Sequence, residues 1–169
     1  AYDPVTGRFV RLPRLNTPRH SHTATLLPSG KVLLVGGYGA GTTTLASAEL
    51  FDPVSGTFTP TEPMLEARAG HIAVPLANGK VLIAGGVGPD WRFLSSAELY
   101  DPRTGRFSLT GPMTVARESH TAVRLLDGRV LIAGGHRGRR AAITLYASAE
   151  TYDAATATFT RVGDMRARR

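Results

Sequence analysis

Three stretches of this chain spell nearly the same octapeptide at equal intervals, and that repeat restricts the possible folds more than any other feature. Tyr2-Asp3-Pro4-Val5-Thr6-Gly7-Arg8-Phe9 is followed 49 residues later by Phe51-Asp52-Pro53-Val54-Ser55-Gly56-Thr57-Phe58, and after another 49 by Tyr100-Asp101-Pro102-Arg103-Thr104-Gly105-Arg106-Phe107. A decayed copy, Tyr152-Asp153-Ala154-Ala155-Thr156-Ala157-Thr158-Phe159, comes 52 residues after the third. A second element recurs between these boxes, as KVLLVGG at 31–37, KVLIAGG at 80–86 and RVLIAGG at 129–135. A fixed period of this length means one supersecondary unit packed against copies of itself.

Each unit reads as four short strands. Ser119 to Leu126 predicts a first strand, and Asp127-Gly128 a two-residue hairpin turn with both residues at positive φ. Asn78-Gly79 and Ser29-Gly30 fill the same slot in the other copies. The second strand, VLIAGG, is a continuous apolar run and not an alternating one, so both of its faces should be buried between neighbouring sheets. Ser96 to Tyr100 predicts a third strand. In the following turn, Asp101 to Gly105, proline fixes φ and glycine takes the left-handed position. The fourth strand begins at Arg106-Phe107 and ends near Gly111-Pro112. No window holds a 3.6-residue period long enough for a helix. The expectation is an all-β segment of four-stranded antiparallel propeller blades. It forms a single segment over 1–169, with units at 2–50, 51–99 and 100–151 and a partial unit at 152–169. Fourteen strands then make three blades and an outer hairpin.

The glycine-ended strand, the box Ser-Ala-Glu-Leu-Tyr-Asp-Pro-x-Thr-Gly-x-Phe and the following Met-x-x-x-Arg-x-x-His together resemble a Kelch repeat. The likeness is to the bacterial kind seen also in the central propeller of galactose-oxidase-like proteins. It covers about three and a half units. The tryptophan typical of the fourth strand is replaced by Phe9, Phe58, Phe107 and Phe159. The resemblance implies a β-propeller serving as a protein-interaction module. The copper chemistry of galactose oxidase needs a tyrosine cross-linked to cysteine, and this sequence has no cysteine. The same absence excludes disulfides, thiolate metal sites and cysteine nucleophiles, and it fits secretion, the cell surface or a reducing compartment alike.

Closure and charge bound the partners. The units nearest both ends are as apolar as the middle one, so bare blade faces would exceed what a soluble monomer exposes. The chain is therefore expected to be completed by further blades or by self-association. No apolar run approaches the ~18 residues of a membrane span. The formal net charge is +7, carried by eighteen arginines and only two lysines, Lys31 and Lys80. Residues 51–99, however, hold five acidic against three basic side chains. The basic excess is thus split, which argues against nucleic acid as the partner.

Two classes of candidate residue follow. Arg19, Arg68 and Arg117 recur with His22, His71 and His120, and with Glu49, Glu98 and Glu150. Residues present in every copy are best explained by what every blade needs, namely buried Arg–Glu pairs tying adjacent blades. Near-equivalent surroundings do not separate an acid from a base, so catalysis by these groups is not expected. His20 and His22, on one face of a strand, lack a third metal ligand. Gly36-Gly37-Tyr38-Gly39-Ala40-Gly41 is not followed by the Lys-Ser/Thr of a phosphate loop. Neither a metal nor a cofactor is assigned.

Function on a repeat scaffold resides where copies differ. The loops after the second strands diverge, carrying Tyr38 in the first unit, Asp90, Trp91, Arg92 and Phe93 in the second, and His136, Arg137, Arg139, Arg140 and Tyr146 in the third. Trp and Arg are the side chains most enriched at binding hot spots. The sequence therefore predicts a non-catalytic scaffold that binds protein or carbohydrate through this rim, the arginines favouring an acidic ligand. The alternative is the propeller portion of a larger secreted enzyme, galactose-oxidase-like or sugar-processing, with its catalytic groups elsewhere.

Overall fold

The structure, a computed structural model, describes residues 1–169, the side chain of Arg140 excepted. Strands β1 (Tyr2–Asp3) and β2 (Arg8–Phe9) form a hairpin of their own. Strands β3 (Thr23–Leu26), β4 (Val32–Val35), β5 (Ala48–Asp52) and β6 (Thr57–Thr61) make a first antiparallel sheet in sequence order. Strands β7 (Ile72–Pro75), β8 (Val81–Ala84), β9 (Ala97–Asp101) and β10 (Arg106–Thr110) make a second. The third begins with β11 (Thr121–Arg124) and β12 (Val130–Ala133). The chain then makes a small hairpin, β13 (His136–Arg137) with β14 (Thr144–Leu145), before β15 (Ala149–Asp153) and β16 (Thr158–Val162) complete that sheet.

The three sheets are propeller blades. Strands β3, β7 and β11 lie innermost and neighbour one another, while β6, β10 and β16 lie outermost. The blades fan about an axis without closing a ring. The extra hairpin β13–β14 occupies the stretch where the repeat lengthens, and no alternation marks it in the sequence.

Side-chain alternation along β8 shows why its sequence is apolar throughout. Val81 and Ile83 join Leu33, Val35 and Tyr100 in a core between the first two blades. Leu82 and Ala84 join Val130, Ile132 and Tyr152 in a core between the second and third. All four residues of β8 are inaccessible to solvent, and burying each of the larger ones contributes about 1.5–3 kcal/mol. In β12, Val130 and Ile132 are buried against the middle blade while Leu131 and Ala133 on the opposite face are only half-buried. The two-sided burial expected of every second strand is thus complete only in the blade with a blade on each side.

Aromatic pairs staple the outer strands. Tyr2 faces Phe9, Phe51 faces Phe58, Tyr100 faces Phe107 and Tyr152 faces Phe159 in cross-strand register, with ring centroids 4.7–5.1 Å apart. The turn joining each pair holds Gly7, Gly56 and Gly105 at φ of 67°, 69° and 70°. In the decayed copy Ala157 takes the same conformation at φ 57°.

Two local expectations are corrected. The inner hairpins are not two-residue turns with both residues at positive φ. Leu125 N–H donates to Arg129 O and Gly128 N–H to Leu125 O, so the loop is Leu126-Asp127-Gly128, and only Gly128 is left-handed (φ 89°). This is a type I turn closed by a glycine bulge. The first strand is also shorter than Ser119 to Leu126, because Ser119 itself is left-handed (φ 53°).

Candidate binding face at the blade rim

The segments linking one blade to the next run along one rim, and each is fixed by the repeated arginine. Arg68 illustrates the joint. Its backbone belongs to the first blade, donating to Leu45 O (3.2 Å) and accepting from Gly37 N–H (2.9 Å). Its guanidinium enters the second blade, donating to Gly85 O (2.9 Å), Ser96 O (3.0 Å), Ser96 Oγ (3.2 Å) and the Glu98 carboxylate (3.0 Å). Glu98 also accepts from the backbone N–H groups of Leu65 (2.8 Å) and Glu66 (3.1 Å). Arg117 repeats the arrangement between the second and third blades, reaching Gly134 O, Ser148 and Glu150. Arg19 makes the same set with Gly36 O, Ser47 and Glu49. Burial raises the Glu49 carboxyl, but Arg19 with the Asn16 and Thr17 donors outweighs that and leaves it below the ordinary value.

The repeated histidines pack beneath these joints. A Cβ at Gly85 would lie 2.7 Å from both the Arg117 carbonyl and the His120 ring, which is why that position must be glycine. His71 Nε2 meets Thr23 Oγ1 of the preceding blade at 3.0 Å. Both nitrogens of His120 are buried and unpartnered among the described residues. Burial, followed by the nearby guanidinium, lowers the pKa of each ring to about 3. His22 is half-buried and lowered too, first by burial and then by Arg19. His20 and His22 do not share a strand face as the sequence suggested, because Ser21 between them is left-handed (φ 53°) and breaks the alternation. Among the described residues no group of three His, Cys, Asp or Glu side chains is placed to hold a metal ion.

Above these joints the divergent loops meet. His20 stacks near Tyr38 (5.3 Å between centroids), Tyr38 near Trp91 (5.7 Å), and the Arg139 guanidinium lies over the Trp91 ring. This one continuous row takes residues from all three blades. Phe93 contacts His136 edge-on at 6.4 Å. Arg137 and Arg139 are exposed, Trp91 is 36% exposed, and Arg92 pairs with Glu66. Asp90 and Trp91 are both left-handed (φ 53° and 60°), and this backbone carries the indole over the first blade's loop. Tyr146 lies elsewhere, over the buried Arg117 guanidinium at 5.3 Å. Arg140 falls in a 3₁₀ turn, Arg140–Ala142, and its side chain lies outside the described residues.

One residue of this face was missed by the sequence reading. Glu118 sits in the link before the third blade, bridged by backbone to His136, with its carboxylate 3.5 Å from His136 Nε2. Burial raises its pKa, while His136 and Arg139 draw it back. Its charge also helps raise that of the Tyr38 phenol, after burial. A signal was present, since the equivalent positions hold His20, Ala69 and Glu118, three different residues in an otherwise repeated link.

Between the loops of the first two blades a cavity of about 340 Å³ opens beside Tyr38, Asp90 and Trp91. No helix among the described residues is long and apolar enough to cross a membrane. The Kelch motif family model matches residues 18–65 and 68–114. No curated protein matches the chain.

Proposed function

Because the chain belongs to the Kelch-motif family, whose repeats serve generally as protein-interaction scaffolds, we propose that it binds an acidic segment of a partner protein through the rim of Tyr38, Trp91, Phe93, His136, Arg137 and Arg139. The observation that carries this reading is the row His20–Tyr38–Trp91–Arg139, which brings side chains of three blades onto one surface. Trp91 is a partly exposed aromatic of the kind enriched at hot spots, and Arg137 with Arg139 supplies charge complementary to carboxylates. Trp91 is flanked by Arg139 and Tyr38, so its ring does not lie open as a platform for a sugar, which favours protein over carbohydrate. The half-buried outer face of the third blade, with Leu131, Ala133 and the exposed Val123, suits completion of the ring by further blades or by a second copy.

The test uses a fluorescein-labelled glutamate-rich peptide and a lysine-rich control at low and high salt. The glutamate peptide should bind, the lysine peptide should not, and the double variant Arg137→Ala/Arg139→Ala should weaken binding and flatten its salt dependence. Unchanged affinity in that variant overturns the reading.

A further inference from the structure

The face opposite the rim carries two clefts in equivalent places, one between each pair of blades, and their chemistry differs. The cleft between the second and third blades, about 510 Å³, is lined by Asp127 and Asp153 against a single cation, Arg129, which pairs with Asp127 at 2.7 Å. The cleft between the first and second, about 530 Å³, is lined by Lys31, Lys80 and Arg103 with Asp101, and Asp52 stands beside Lys31, so cations outnumber acids here and acids outnumber cations in the sister cleft. Both lysines of a chain that otherwise uses arginine stand at this one opening. They are side chains whose ammonium groups remain partly exposed, Lys31 beside Asp52 at 3.2 Å and Lys80 beside Asp101 at 3.7 Å. Arg103 has no ion-pair partner among the described residues. Beneath the cations the wall is apolar, formed by buried Leu27, half-buried Leu50 and Pro102.

We infer that this first cleft is a second binding site, for a small carboxylate with an apolar body, such as a medium-chain fatty acid anion. The volume lies in the range of small-ligand sites. The apolar body displaces water from Leu27, Leu50 and Pro102, and the carboxylate accepts hydrogen bonds from the lysine ammonium groups and the Arg103 guanidinium. The sister cleft has the same blade geometry with two acids at its mouth, and it rejects the same anion. The site is independent of the rim, which lies on the other face.

The experiment is a titration of the 169-residue protein with octanoate at pH 7, followed by calorimetry and by amide chemical-shift mapping. Saturable binding is expected, with shifts at Lys31, Lys80 and Arg103 and none around Asp127 and Asp153. The double variant Lys31→Glu/Lys80→Glu should lower affinity by about tenfold or more. Arg129→Glu in the sister cleft and Arg137→Ala/Arg139→Ala on the rim should leave it unchanged. Should the double variant fold poorly, the shift map of the unaltered protein decides the matter by itself. Octylamine binding as tightly as octanoate, shifts confined to the outer face of the third blade, or no saturation overturns the proposal.

Discussion

His71 Nε2 lies 3.0 Å from Thr23 Oγ1 and so bonds the start of one blade's innermost strand to that of the blade before it. One repeat later, Ile72 stands where Thr23 stood, and the His120 ring finds no such partner among the described residues. Thr23→Val keeps the shape of the side chain and strands a buried ring nitrogen. It should cost about 1–2 kcal/mol, read as a lower midpoint in urea unfolding. An unchanged midpoint would show the bond to be energetically idle.

The same histidines make stability depend on pH. In the unfolded chain each titrates near 6.5, and in the folded protein near 3. Protons therefore bind the unfolded state first as pH falls, so the fold is most stable above about 6.5 and weakens toward 3. The slope approaches about 1.4 kcal/mol per pH unit for each ring. Urea unfolding between pH 7 and 5 should show this loss, and His120→Gln should remove about half of it.

Arg68 and Glu98 are both fully buried. Arg68→Met leaves a carboxylate without its cation and should destabilise by about 3–5 kcal/mol, with Arg68→Met/Glu98→Leu recovering part of the loss. Arg68→Lys should also fail to restore stability, because one ammonium cannot reproduce a planar fork aimed at two carbonyls, a hydroxyl and a carboxylate. Denaturant titration of the three variants separates charge from geometry.

Ala157 holds a left-handed conformation that three glycines hold in the sister turns. Ala157→Gly should therefore stabilise by about 1 kcal/mol, since the relief of steric strain exceeds glycine's extra chain entropy. A lower melting temperature would contradict that balance.

Trp91 is the chain's only tryptophan, which makes its contact with Arg139 directly visible. Arg139→Ala should shift its fluorescence emission to the red as water reaches the indole. The melting temperature should barely move, because an exposed cation–π contact contributes only about 0.5–1 kcal/mol.

The architecture was legible because the physical demands of a blade recur, and each recurrence repeats the signal. The glycine pair, the Asp-Pro-x-x-Gly turn and the apolar second strand all stand at fixed spacing, and the Arg–Glu partners could be named from repetition alone. Conformations that residue type does not report were illegible. A hairpin closing in Asp127-Gly128 is compatible with two turn types, and Ser21 and Ser119 give no residue-level warning of positive φ, although Gly70 in the same slot does. The meeting of Trp91 with Arg139 depends on how far the β13–β14 hairpin leans over the neighbouring blade. Spacing along the chain carries no record of that.

The joint at Arg68 has one half in each blade, backbone in the earlier and guanidinium in the later. Arg117 presents the same two halves, so each blade offers its predecessor a socket that takes any plug of the series. The array is accordingly modular in whole blades and intolerant of fractions of one. Removing the residues from one matched arginine to the next, 49 between Arg68 and Arg117, would regenerate an intact joint, whereas a cut that is not a whole number of units would leave a guanidinium facing the wrong socket.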